Sequence, residues 1–293
     1  MINIVTVENK NLEKEFVQFP FKLYKNCDYW VPPIISEELE AMDKTKNPVF
    51  QNAEAEFYLA YKDDKVVGRI AAIVNWVEID EQKKNKLRFG WYDTIDDVEV
   101  SKKLIEKVIE FGKKRKLDFI DGPVGFSNMD KAGLLTHGYD ELNTMITWYH
   151  FPYQKNHLTD IGFKKLAEWV EYKIQIYSEK DAPQTVKKFA KIIQKRYDLK
   201  VINFKSTKEI IPYVDKMFEL LNVTYSNLQT YVTIKQYQID FYKEKFIKYI
   251  HPDFIKCLSD KEGNLIAFLI TMPSFSRALK KINGKLGLLG YFH

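Results

Sequence analysis

Four carboxylates, Asp93, Asp96, Asp97 and Glu99, crowd the entrance of a predicted helix in FGWYDTIDDVEVSKKLIEKVIEFGKKRKLDFIDGPV, residues 89–124. A helix N-terminus presents unpaired N–H groups and about half a positive charge, so it attracts anions. Here the chain's own side chains supply that anion. Asp96 is expected to cap the helix, with Glu99 reaching back to the cap N–H. A phosphate arriving at the same place would meet charge of its own sign. At about 5 Å and an effective dielectric near 20, each such contact costs about 3 kcal/mol. The helix start is therefore self-sufficient and poorly suited to a nucleotide.

A second concentration of polar chemistry lies in the irregular stretch 125–153, GFSNMDKAGLLTHGYDELNTMITWYHFPY. It is too apolar for a disordered linker and too irregular for one element, as expected of a loop packed over a site. Asn128, Asp130, His137, Tyr149 and Tyr153 are its polar groups. Asn128, Tyr149 and Tyr153 are the candidate substrate-binding residues. A tyrosine hydroxyl can hold a ligand oxygen or anchor to a backbone carbonyl, and for Tyr153 the backbone anchor is the expected use. His150 and His157 would share a helix face if the segment were continuous, but Pro152 interrupts it and further ligands are lacking. No metal is expected. No Ser-His-Asp arrangement, P-loop or dinucleotide fingerprint stands out.

The elements that must position these residues follow from periodicity. INIVTV (2–7) alternates as a strand, and Leu12, Phe16, Phe19 and Leu23 space as an amphipathic helix that Pro20 shortens or kinks. WVPP ends that region, and a short acidic helix starts at Ser36. EFYLAYKDDKVVGRIAAIVN (56–75) predicts a hairpin whose second strand, apolar almost throughout, is covered on both faces. LRFGWYD (87–93) predicts a strand and Asp97–Lys116 a helix with Leu104, Ile105, Val108 and Phe111 buried. A strand follows, and 157–177 predicts a helix end, a turn at Gly162 and a long alternating strand.

A break is expected near SEKDAP, 178–183. Beyond it come a helix (184–197), a strand (LKVINF), a helix from Ser206 with Glu209 as a capping box, and a helix over about 234–250. The aromatics Tyr231, Tyr237, Phe241, Tyr242, Phe246 and Tyr249 are expected to make a packed helix face, the alternative being a substrate wall. FIKCLSDKEGNLIAFLITMP (254–273) predicts a second hairpin built like the first, which implies an internal structural repeat.

Composition bounds the function. The chain has 293 residues, 45% hydrophobic and 29% charged, with 45 basic against 40 acidic side chains. That is enough for two globular domains. The excess of five positive charges is spread along the chain, so nucleic acid is not an expected partner. Cys27 and Cys257 have no metal-ligand spacing and suit reduced thiols of a cytoplasmic protein. The first residues lack a basic and apolar leader pattern, and the longest uncharged run, 264–276, is too short to span a bilayer. No membrane association is expected.

The order strand, two helices, hairpin, strand, helix, strand, helix, strand resembles the GNAT (acyl-CoA N-acyltransferase) superfamily. The strings FPFKLYKNCDYWVPP, NPVFQNAEAEFYLAYKDDKVVGRIAAIVN, FGWYDTIDDVEVSKKLIE, GPVGFSNMDKAGLLTHGYD, ITWYHFPYQKNHLTDIGFKK and NGKL resemble an uncharacterised bacterial family of GNAT-like proteins. The resemblance implies an α/β (or α+β) fold of two tandem GNAT-like units, each a mixed sheet flanked by helices. The expected division is 1–177, lacking the coenzyme A pyrophosphate loop, and 178–293, the start of a second unit. It also implies acetyl-CoA or another acyl-CoA as cofactor, but not for the first unit. There the superfamily's Q/R-x-x-G-x-G/A signature is replaced by Thr94, Ile95, Asp96, Asp97 and Val98, and glycines are what let a backbone approach a pyrophosphate.

Offsetting the second hairpin by the spacing in the first unit puts a second cofactor loop just past His293. The implied function is an acyl-CoA-dependent N-acyltransferase acting on a small-molecule or amine acceptor, with the first unit shaping the substrate cleft. Its catalytic base is not identified. In the family a tyrosine placed like Tyr153 can protonate the departing thiolate, a role that the missing cofactor loop disfavours here. The alternatives are a non-catalytic scaffold of degenerate units and an aminoacyl-tRNA-dependent transferase. If the natural chain stops at residue 293, an unpaired sheet edge would need cover, for which homodimerisation is one means.

Overall fold

The computed structural model describes residues 1–127, 129–175, 178, 180–228, 230–246 and 250–286. The chain divides into two compact units: residues 1–168 together with 274–293, and residues 169–273.

The first unit is built on a five-stranded sheet in the order β1 (Ile2–Thr6), β2 (Ala53–Lys62), β3 (Lys65–Asn75), β4 (Lys86–Thr94) and β5 (Phe119–Asp121). All neighbours are antiparallel except β4 and β5, which run parallel over three residues. Asp63 and Asp64 turn the β2–β3 hairpin with φ of 51° and 60°, the paired left-handed conformation of a tight hairpin turn. Helices α1 (Lys10–Leu23) and α2 (Ile35–Met42) cover one face of the sheet, and α3 (Val98–Lys114) the other. Alternate residues of β3 serve the two cores: Ile70, Ala72 and Val74 meet Leu104, Ile105 and Val108 of α3, while Ala71 and Ile73 meet Phe16 and Val17 of α1. That explains why β3 is apolar without alternation.

In β4 the pairing Arg69↔Asp93 and Ala71↔Gly90 leaves Trp91 and Tyr92 opposite Ile70 alone. This bulge, with Trp91 at φ 48°, sends Trp91 into the α1 core and Tyr92 into the α3 core. Gly90 sits beside Val124, whose N–H donates to the Phe89 carbonyl at 2.8 Å, so the loop after β5 packs directly along β4.

A fourth helix, α4 (Pro152–Ile161), ends in a left-handed Gly162. Residues Ser276–Ile282, the helix α8, also belong to this unit. The Ser276 hydroxyl donates to the Asn143 carbonyl at 2.9 Å, Lys280 donates to the Asp28 carbonyl, and Ile35 N–H donates to the Gly284 carbonyl at 2.9 Å.

The second unit holds α5 (Gln184–Arg196), β6 (Lys200–Ile202), α6 (Thr207–Tyr225), α7 (Gln236–Phe246), β7 (Ile255–Ser259) and β8 (Leu265–Ile270). Its antiparallel sheet has the order β6-β7-β8, and its core joins Ile210, Val214 and Met217 of α6 to Ile255 and Cys257. Strand, two helices, hairpin is thus repeated: β1-α1-α2-β2-β3 in the first unit and β6-α6-α7-β7-β8 in the second. Both are mixed α/β in construction, as the sequence order implied.

Several local expectations need correction. Asp97, not Asp96, caps α3, accepting from Glu99 N–H at 3.1 Å. Helix α2 starts one residue before Ser36 and has no side-chain cap. Glu209 reaches the Lys205 N–H at 2.8 Å, and Ser206 makes no capping bond. Residues 163–175 form no regular element, and Trp169, Val170, Tyr172 and Ile174 stand exposed. An alternating pattern needs a neighbouring strand to become a strand, and among the described residues none pairs with it. Of the aromatics assigned to a packed face, Tyr231 is buried; Tyr249 lies outside the described residues.

Candidate functional site

The polar centre of the first unit lies at the carboxyl end of β4. Arg69 and Asp93 face each other across β3 and β4, 4% and 6% exposed, with Arg69 Nε donating to Asp93 Oδ2 at 2.7 Å. A charged pair inside an otherwise apolar strand needs every lone pair and proton satisfied. Asp93 Oδ1 accepts from the Tyr24 hydroxyl at 2.6 Å, and Arg69 Nη1 donates to the Phe16 carbonyl at 3.0 Å. The Tyr24 hydroxyl also lies 3.2 Å from Gln154 Oε1. Burial and the Asp93 carboxylate hold the Tyr24 phenol well above its ordinary pKa, so it stays a donor. Asp93 is the acid nearest a strand end that a catalytic base would require. Its two oxygens are already engaged, which makes it an anchor.

Around this centre is a cleft enclosing about 20 Å³, room for one water-sized group. Trp30, Trp148, Tyr24 and Tyr149 supply its aromatic wall, and Glu38 and Lys131 stand in its lining. Trp30 stacks on Tyr24 with centroids 5.4 Å apart. Glu38 accepts from the Trp91 indole N–H at 2.7 Å. Lys131 is partly buried, and among the described residues its ammonium has no hydrogen-bond or ion-pair partner. Burial lowers its pKa, Glu38 opposes that, and Arg69 adds to it.

Of the expected substrate-binding residues, Tyr149 lines this cleft, but its hydroxyl donates to the Tyr139 carbonyl at 2.8 Å. Tyr153 lies on α4 and donates to the Thr94 carbonyl at 2.7 Å. Asn128 lies outside the described residues. Asp130 folds back on its own loop, accepting from Ser127 N–H at 2.9 Å, and burial raises its pKa.

His150 is 1% exposed, and its Nδ1 accepts from Leu135 N–H at 3.2 Å, which fixes the neutral ring with its proton on Nε2. Burial pulls its pKa down to about 4 although Asp93 and a backbone bond to Tyr92 act the other way; Arg69 and Lys131 reinforce the fall. The unfolded chain therefore binds the extra proton first. The stability contributed by a neutral His150 is complete above about pH 6.5 and is lost as pH falls toward 4. The stability gap between wild type and His150→Asn, measured by urea unfolding, is expected to narrow by about 2–3 kcal/mol between pH 7 and pH 4. A gap independent of pH would mean that the ring is already hydrated.

One arrangement escaped the sequence. Ser101 Oγ lies 2.9 Å from His157 Nδ1, and His157 Nε2 lies 3.2 Å from Asp96 Oδ1. The order is that of a nucleophilic triad, but Ser101 is fully buried and also accepts from the Tyr92 hydroxyl at 2.8 Å. No substrate carbon can reach such an oxygen. The chain of bonds ties α3 to α4 instead. It also completes the closure of the α3 start: Asp97 caps it and pairs with Lys62 at 3.0 Å, and Asp96 belongs to His157. These residues do not fit a coenzyme A pyrophosphate. Among the described residues no group of three or more His, Cys, Asp or Glu is placed to hold a metal, and no helix is long and apolar enough to cross a membrane.

No family model matches the chain. Among curated proteins it is 25% identical to Protein YghO of Escherichia coli (strain K12) over 290 residues, 98% of this chain and 72% of that one. It is 20% identical to a protein of Caulobacter vibrioides named Bacterial ceramide synthase over 298 residues, 99% of this chain and 74% of that one. Among solved structures it is similar to a tandem GNAT protein from the clavulanic acid biosynthesis pathway, with 11% identity and a TM-score of 0.45, covering 93% of this chain and 76% of the other. The alignments to the two curated proteins cover both units of this chain.

Proposed function

We propose that this chain acts as an N-acyltransferase that moves an acyl group from an acyl-CoA to an amine, with the first unit shaping the acceptor side. The observation that carries this reading is the cleft near the carboxyl end of β4, where Asp93 and Arg69 meet Tyr24, Trp30 and Trp148. In open α/β sheets, ligands bind outside the carboxyl ends of parallel strands where the topology leaves a crevice. The similarity, over 99% of this chain and 74% of the other, to a protein named for ceramide synthesis supports the reaction type, since a ceramide is the amide of a long-chain amino alcohol. A long-chain amine is accordingly the acceptor to try first.

The acyl donor binds away from the α3 start, whose N–H groups and charges are already engaged. Tyr153, bonded to the Thr94 carbonyl, braces α4 against β4 and does not serve as a proton donor. Acceptor residues hold the amine at attacking distance, so that catalysis comes from proximity and from removal of the amine proton.

The test titrates acetyl-CoA and palmitoyl-CoA calorimetrically into this chain and into the full open reading frame, then assays thiol release with sphinganine and with short amines. Binding with amine-dependent thiol release is the expected result. Absence of binding by either protein, or binding without transfer to any amine, overturns the proposal and favours a scaffold of degenerate units.

A further inference from the structure

We infer that α5 is an interfacial helix that lies flat on an anionic lipid surface, with Phe189 and Ile193 at the acyl chains and its lysines at the headgroups. This inference concerns where the chain works, not what it transfers, and stands apart from the acyl-transfer reading. No side chain of α5 is buried. Val186, Phe189, Ile192 and Ile193 fall on one side of the helix, at i, i+3, i+6 and i+7, and are 47–60% exposed. The matching stripe of α3, Leu104, Ile105 and Val108, is at most 1% exposed. An apolar stripe left in water is unfavourable until something covers it.

Charge decides what covers it. Gln184–Arg196 carries Lys187, Lys188, Lys191, Lys195 and Arg196 and no acidic residue. At about 100° per residue the four lysines project opposite the apolar stripe. None of the five cations has a carboxylate partner among the described residues. A second copy of the helix would bring like charges together, and packed protein interfaces are depleted of lysine. A bilayer containing acidic lipids accepts both features at once. The apolar face sinks to the acyl boundary, and each cation near the surface strengthens partitioning by about fivefold. At the helix end Arg196 lies over the Tyr197 ring, 5.5 Å from its centroid, a pair suited to the headgroup level. Thirteen residues extend about 20 Å, too short to cross a hydrocarbon core of about 30 Å, so the helix lies in the plane of the surface. The expectation of no membrane association rests on the lack of a spanning run, which such a helix does not need.

Vesicles of phosphatidylcholine, alone or with a quarter phosphatidylglycerol, are pelleted with this chain and with the full open reading frame. Both proteins are expected to bind the acidic vesicles at least tenfold more strongly than the neutral ones, and to release as salt rises. Lys188→Gln, Lys191→Gln and Lys195→Gln combined should weaken binding by about a hundredfold. Phe189→Ser with Ile193→Ser should weaken it at least tenfold. Neither set should lower the thermal midpoint, since none of these side chains is buried. If the combined variants unfold, Phe189→Trp decides: its added fluorescence should be quenched by brominated acyl chains. No pelleting, equal pelleting with both vesicles, unchanged binding by the variants, or no such quenching overturns the proposal. So does binding by this chain but not by the full reading frame, which would mean that residues outside this chain cover α5. A dimer that Phe189→Ser dissolves would assign the face to a second copy and overturn it too.

Discussion

Replacing Glu78 by alanine is expected to destabilise the first unit by about 3–5 kcal/mol, the largest effect of any single substitution considered. Glu78 sits on the helical turn Val77–Glu81 between β3 and β4, fully buried. Its carboxylate accepts from Arg88 Nε at 2.6 Å and Nη2 at 2.7 Å, and lies 3.0 Å from Lys86 Nζ. Both cations are about 1% exposed. Without Glu78, Lys86 keeps Asp121 at 2.9 Å, and Arg88 loses both of its charge-assisted bonds to the Glu78 carboxylate. Breaking one partner of a dry network costs far more than the network contributes net, because the survivors stay desolvated. Four of the five tryptophans lie in the first unit, so urea unfolding followed by tryptophan fluorescence reads its transition. A loss below about 1 kcal/mol would show that water reaches the cluster.

Gly90→Ala should follow, with a loss of about 2–3 kcal/mol. An added Cβ would meet the Val124 carbonyl oxygen at 2.6 Å and the Trp148 ring at 3.3 Å. The obstacle is backbone, pinned by the Val124–Phe89 hydrogen bond, so it cannot swing aside as a side-chain tip would. The loop carrying Lys131 and Trp148 must shift, and the Trp148 indole resonance should move with it. Wild-type stability with an unmoved resonance would place that loop farther from β4 than the packing described above.

Much of the fold was legible because the relevant contacts are local or repetitive. The β2–β3 hairpin followed from two apolar runs around an aspartate turn, and α3 from its stripe of Leu104, Ile105, Val108 and Phe111. The cap was misread by one residue because Asp96 and Asp97 are equal as cap formers. What separates them is His157, which comes from α4 and takes Asp96. The cleft was less visible, since Tyr24, Arg69, Asp93 and Lys131 come from four separate stretches of chain. A signal did exist. Arg69 interrupts the apolar run VVGRIAAIVN, and Lys86 and Arg88 flank Leu87, so buried charge in strands pointed to partners elsewhere. The 163–175 alternation shows the opposite failure, a strand pattern lacking a described neighbour to pair with.

The return of α8 to the first unit has a consequence for how the protein is made. Its anchors, Asp28, Ile35 and Asn143, leave the ribosome long before Ser276 and Gly284. Roughly a hundred residues, Trp169–Pro273, are translated in between. At roughly 5–20 residues per second the early half waits on the order of five to twenty seconds for its last helix. During that interval the Asn143 carbonyl and the Ile35 N–H face solvent, and the nascent chain is open to chaperones and proteases at the edge of its own cleft. Ribosome pausing within the second unit would lengthen that exposure without changing any residue.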